Sequence, residues 1–210
     1  MTLRTDIEHA LEGRTLLTHP FYRRWEAGEL RRDELAAYGA QYEHFERQLP
    51  RTLAAAVDAC TEPHVRDSIA ANLDDELHRP SPHTELLVPF LEAIGATPTP
   101  PTPAPAALVA TYAAAPARSV GFAVGVLAAY ELQAAEISRS KSDGLRGHYG
   151  LDAAGTAFWD VHAALESEHA DWTLDAGDGL PEDEVLAGVA ASRDAWWAFL
   201  DEREAEASLV

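Results

Sequence analysis

Residues 120–130, VGFAVGVLAAY, constrain the fold more than any other stretch of this chain. They are almost uninterruptedly apolar, and no polar face is left for water. A helix with that composition is buried on all sides, so several other helices must surround it. The rest of the 210 residues can supply them. Ala, Leu and Glu dominate, and the strict alternation of half-buried strands is missing. The chain is therefore predicted to be all-α, with one domain over residues 1–210.

The helices follow from apolar spacing and from their stop signals. Leu3, Ile7 and Leu11 form the stripe of a short first helix ending near Gly13. Thr18-His19-Pro20 opens a second, with Pro in the first turn, and Gly28 closes it. Asp33 is the expected cap of a long helix carrying Tyr38, Tyr42, Phe45 and Leu49. Pro50 should kink that helix rather than end it, because TLAAAVDA continues the pattern. Pro63 starts a helix through Ile69, Leu73 and Glu76; HRPSPH breaks it, and TELLVPFLEAIG forms the next. The proline-rich stretch 97–105 is expected to be an extended internal loop. A helix through Leu108 and Tyr112 precedes the buried one, which should span about residues 117–143 and end at Gly144 and Gly147. A helix ending near Gly177 follows, and a last one from Pro181 carries Val185, Val189, Trp196, Trp197 and Leu200. Trp196, Trp197 and Phe199 are expected in the core, with a homodimer patch as the other possibility.

Charge and cysteine content narrow the function classes. With 35 acidic and 16 basic residues, the net charge is −19, which leaves little for the basic face a general nucleic-acid binder needs. The single Cys60 cannot form an intramolecular disulfide. The N-terminal MTLRTDIEHALEGR lacks the apolar core of a secretory signal, and no uncharged apolar run reaches the length of a membrane span. A cytoplasmic protein with no membrane partner is expected.

Phe158–Thr173, FWDVHAALESEHADWT, carries the chemistry. His162, Glu166 and His169 are spaced i, i+4 and i+7, which puts two imidazoles and a carboxylate on one helical stripe. Glu76 and His83 flank the break at Pro80 and Pro82, and both can point inward. Glu131 follows the apolar run of the buried helix, where a carboxylate without a partner is costly and a cation is welcome. Three carboxylates and three imidazoles suit iron or manganese better than structural zinc. Six donors exceed what one metal with open positions needs, and they match two metals held between helices. Each residue also has a plain reading, since most Glu and His side chains are solvated. His78, Glu85, Glu136, Glu168 and Asp171 are assigned to solvent or to the periphery of the site.

The order Glu-x6-His, then Glu on a buried helix, then His-x3-Glu-x2-His resembles the haem-oxygenase-like dimetal oxidases, from HPFYRRW to the last helix. Within that group the chain is most similar to the self-sacrificing para-aminobenzoate synthases typified by the Chlamydia protein associating with death domains. HPFYRRWEAGEL, AAYGAQY and YELQAAEISRSK carry the resemblance. It implies a single haem-oxygenase-like bundle of about seven to nine helices. It implies two metal ions (Fe/Fe or Fe/Mn) on Glu76, His83, Glu131, His162, Glu166 and His169, with dioxygen as co-substrate and an external reductant. It further implies that Tyr22 is the side chain cut up to make the aminobenzoate ring, a folate precursor. Lys141, ten residues after Glu131, would donate the nitrogen, and Tyr38 or Tyr130 would pass on a tyrosyl radical. The family commonly has Asp where this chain has Glu166, whose longer reach bears on metal spacing. Tyr22 also reads as an amphipathic core tyrosine, and Lys141 as a solvated lysine near a helix C-terminus. Three other functions stay open: oxidation of a separate fatty acid or amino acid on the same scaffold, metal-free chemistry as in pyrroloquinoline quinone synthesis or thiamine-fragment hydrolysis, and a helical interaction module. Thiamine-fragment hydrolysis needs a pocket cysteine, which Cys60 near a helix end does not readily provide.

Overall fold

The computed structural model describes residues 2–207, without the side chains of Glu166, Ser167 and Ala207. Among these residues there are nine α-helices, one 3-10 turn at Leu16–Thr18 and no strand. Helices α1 (Leu3–Leu11), α2 (Pro20–Ala27), α3 (Arg32–Ala59), α4 (Pro63–His78) and α5 (His83–Ala93) come before the proline-rich connection. Helices α6 (Pro103–Arg118), α7 (Val120–Tyr149), α8 (Ala153–Gly177) and α9 (Glu182–Ala207) come after it. The apolar run that organises the sequence lies at the start of α7, which packs along both α8 and α9. On the other side of the bundle α3 packs against α4 and α6, and α8 reaches α4 and α5. Phe122–Tyr130 are all buried, as expected of a central helix. This helix is long and apolar enough to cross a membrane, contrary to the reading of its sequence, but 72% of that span is buried inside the bundle.

Two glycines set how closely α7 and α9 approach. A Cβ at Gly125 would overlap the carbonyl of Val185, and one at Gly188 would overlap the carbonyl of Phe122. Both atoms in the way are backbone, so no side-chain adjustment relieves the clash. Gly125→Ala should lower stability by about 1–3 kcal/mol or more in urea unfolding, because the helices must separate. An unchanged midpoint would mean that α7 and α9 are not in backbone contact.

Several helix limits differ from the sequence reading. Gly144 and Gly147 do not end α7, which continues to Tyr149 and stops at Gly150 with φ +69°. Gly144 is needed for packing: a Cβ there would lie 2.9 Å from Trp25 Cδ1. The helix start after the proline-rich loop falls at Pro103, inside the stretch 97–105, because a first-turn proline gives up no helical hydrogen bond. Glu202 Oε2 accepts from the Ala104 amide at 2.9 Å and helps fix that start. The N-cap of α3 is Arg31, not Asp33; Glu34 Oε2 accepts from the Arg31 amide at 2.7 Å. As expected, α3 runs through Pro50 without ending. Trp196 and Phe199 lie in the core, while Trp197 sits at its edge against His19.

Candidate metal centre and the tyrosine–lysine cluster

The break between α4 and α5 brings Glu76, at the end of one helix, toward His83, at the start of the next. One donor atom each from Glu76, His83 and His162 of α8 fall within 4.8 Å of one another, and all three residues are buried. Glu131 and His169 line the same internal cavity as Glu76 and His162, together with Glu46 and Tyr130. The space inside is about 10 Å³, the size of one water molecule. The Glu166 side chain lies outside the described residues. Five of the six sequence-predicted metal ligands are thus placed around one buried cavity or its edge. His78, Glu85, Glu136, Glu168 and Asp171 are exposed.

Ring orientation shows what these imidazoles can offer. His83 Nε2 lies 2.9 Å from the Arg79 carbonyl, and His162 Nδ1 lies 2.7 Å from the Phe158 carbonyl. A carbonyl oxygen only accepts, so each of those nitrogens donates its N–H. The second nitrogen of a neutral ring then carries a lone pair: Nδ1 of His83 and Nε2 of His162. His83 Nδ1 is buried 3.0 Å from Glu76 Oε2 without the alignment of a hydrogen bond. A lone pair facing a carboxylate in a dry site needs a cation between them, either a proton or a metal. In the metal-free chain the proton is favoured. Burial pulls the His83 imidazole down, but the Glu76 carboxylate outweighs it and leaves it above its usual range. Burial likewise pushes Glu76 up, and His83 outweighs that and holds it below its usual range.

Glu131 meets the cost of burial with neutral donors. Asn72 Nδ2 donates to Oε1 and Thr173 Oγ1 to Oε2, both at 2.8 Å. These bonds orient the carboxylate and leave its negative charge in place. Glu46, one turn after Tyr42 on α3, is a further buried carboxylate at the cavity, 2% exposed, and the sequence reading did not include it.

Tyr22 and Lys141 sit elsewhere. Ten residues of helix separate Lys141 from Glu131, which is about 15 Å along the axis of α7. Lys141 is 1% exposed. Its Nζ donates to Tyr38 Oη at 2.7 Å and lies 4.0 Å from the ring centre of Trp159, 4.7 Å from Tyr42 and 4.9 Å from Tyr22. The Tyr22 and Tyr38 hydroxyls are 2.9 Å apart. Burial holds the Lys141 amine well below the ordinary lysine range, with Glu46 pulling the other way. It also pushes the phenols of Tyr22, Tyr38 and Tyr42 up, so all three keep their protons at neutral pH.

Aromatic side chains fill the distance between the two sites. Tyr130, at the cavity, has its hydroxyl 3.1 Å from that of Tyr42, which also bonds Glu46. The Tyr42 ring stacks on Tyr38 at 5.5 Å, and Tyr38 reaches Tyr22 and Lys141. The sequence reading places Tyr42 on the stripe of its helix and gives Trp159 no role. Glu46 could have been found from sequence, since it shares the apolar stripe of Tyr38, Tyr42 and Leu49, where an unpaired carboxylate is as costly as at Glu131.

A family model described as iron-containing redox enzymes matches residues 36–199, most of the chain. The chain belongs to this family. Among its relatives is a 4-aminobenzoate synthase of Nitrosomonas europaea, 32% identical, the alignment covering 95% of this chain and 90% of that one. A 4-aminobenzoate synthase of Chlamydia pneumoniae is 29% identical over 92% of this chain and 91% of its own. A protein from Nostoc punctiforme, described as CADD-like and of unknown function, superposes with a TM-score of 0.81 at 19% identity, covering 98% of this chain and 96% of that one. A domain from Shewanella denitrificans described as having a haem-oxygenase-like fold superposes with a TM-score of 0.75 at 16% identity, covering 99% of this chain and 90% of that one, so the fold is the haem-oxygenase-like one.

Proposed function

We propose that this chain is an oxygen-activating oxidase that forms 4-aminobenzoate from its own Tyr22, with Lys141 as the source of nitrogen. One observation carries the reading: the Lys141 amine lies 4.9 Å from the centre of the Tyr22 ring, in a buried cluster. A lysine there serves neither solubility nor an ion pair. Desolvation favours its neutral form, whose lone pair makes it a nucleophile. Tyr38 bonds both partners and holds amine and phenol in one arrangement.

Glu76, His83, Glu131, His162 and His169 would hold the metals, with Glu166 as a sixth ligand. The fit rests on the donor set and on His83 Nδ1 facing Glu76 across 3.0 Å. Two iron ions, or iron and manganese, would supply redox chemistry with dioxygen and an external reductant. The protein's part is to exclude water, to orient the ligands through Arg79, Phe158, Asn72 and Thr173, and to connect the cavity to Tyr22 through Tyr130, Tyr42 and Tyr38.

A chain that consumes its own tyrosine turns over once. Anaerobic loading with iron, or iron and manganese, followed by oxygen and reductant, should release at most one 4-aminobenzoate per chain and then stop. Continued release in proportion to an added small molecule would overturn the reading.

A further inference from the structure

Asp75 is buried, 2% exposed, and is not among the residues that line the cavity. Its Oδ2 lies 2.8 Å from Nε2 of His169, itself 1% exposed. Its Oδ1 lies 3.1 Å from Nε of Arg79, and the carbonyl of that same arginine accepts from His83 Nε2. One short segment at the end of α4 therefore grips two histidines from two other places in the bundle. We propose that Asp75, aided by Arg79, is a positioning residue that fixes which nitrogen two of the histidines present to the centre: Nδ1 from His83 and Nδ1 from His169. The inference rests on the metal-centre reading above and adds to it the residue that orients the ligands.

The chemistry is local. A buried carboxylate accepts the Nε2 proton of His169, which sets the tautomer and makes Nδ1 the atom the ring can offer. Arg79 is more than half exposed, so its guanidinium remains solvated while its Nε–H holds the carboxylate in place. Through the Arg79 carbonyl, displacement of this segment would turn His83 as well. Asp75 acts through the two histidines and does not itself touch the centre.

Long-range nitrogen–proton correlation spectra of the metal-free protein read the tautomers directly. The expected pattern is a single N–H at Nε2 for His169 and at Nδ1 for His162, while His83, protonated beside Glu76 in the metal-free chain, carries N–H on both nitrogens. In Asp75→Leu, His169 should lose its single Nε2–H pattern, and binding of Mn(II), followed by the signal of the free ion, should weaken roughly 10–100-fold. Asp75→Asn, whose carboxamide oxygen can still accept, should restore the pattern and part of the affinity. If Asp75→Leu does not fold, Arg79→Gln gives the same reading in weaker form, since it frees Asp75 and leaves the backbone bond to His83. An Nδ1–H at His169 in the wild type, or unchanged tautomer and affinity in Asp75→Leu, would overturn the inference. Wild-type protein that binds no Mn(II) or iron would sink the metal-centre reading instead, while the metal-free spectra still decide the role of Asp75.

Discussion

Tyr22→Phe is expected to fold, to bind metal as the wild type does, and to release no 4-aminobenzoate at all. The substitution removes one hydroxyl from a side chain that is 1% exposed and keeps the ring in its aromatic surroundings. The loss of the bond between the Tyr22 and Tyr38 hydroxyls should cost about 1 kcal/mol, too little to unfold a domain of this size. Tyr22 does not line the metal cavity, so metal content should not change. Loss of product with unchanged metal content would separate a tyrosine that is substrate from one that merely packs. Product formation at the wild-type level would make Tyr22 a core residue and return the search to an external substrate.

The second large effect concerns Lys141→Met, which should abolish product and stabilise the fold. Methionine matches lysine in length, fills the same space among Trp159, Tyr42 and Tyr22, and carries no group to desolvate. At neutral pH the gain should be on the order of 2 kcal/mol. The sign of its pH dependence follows from the lowered Lys141 pKa, caused by burial. Between that folded value and the ordinary lysine value of about 10.4, the unfolded chain binds the extra proton, so wild-type stability gains with rising pH. The advantage of the Met variant is therefore largest at low pH and should narrow by about 1.4 kcal/mol per pH unit through that window. Urea unfolding of both proteins across pH 6–9 measures it. A Met variant less stable than wild type at the acidic end of that range would show that Lys141 supports the fold, with no cost that only a function explains.

Much of this architecture was legible because burial and helical period are local signals. The apolar run at 120–130 announced the central helix, and the spacing of His162, Glu166 and His169 announced a stripe of donors. Glu131 stood out because a carboxylate after eleven mostly apolar residues has few cheap explanations. Asp75 was hidden for the opposite reason. It lies in the run Asp74-Asp75-Glu76, which reads as a solvated face, and only the packing of α4 on α8 turns Asp75 toward His169 while Asp74 stays outside. Gly144 read as a stop signal because sequence does not show Trp25 lying against it. The bond from Tyr42 to Tyr130 and the aromatic cage of Lys141 join residues far apart in the chain, and no spacing rule encodes them.

The central claim is that the chain is its own substrate. Peptide mapping by mass spectrometry, before and after one aerobic turnover of the metal-loaded protein, tests it most directly. The account predicts that the peptide containing residue 22 loses the mass of the tyrosine side chain, that the peptide containing Lys141 is altered as its nitrogen leaves, and that 4-aminobenzoate appears in step with both. Release of 4-aminobenzoate with the Tyr22 peptide unchanged would contradict it.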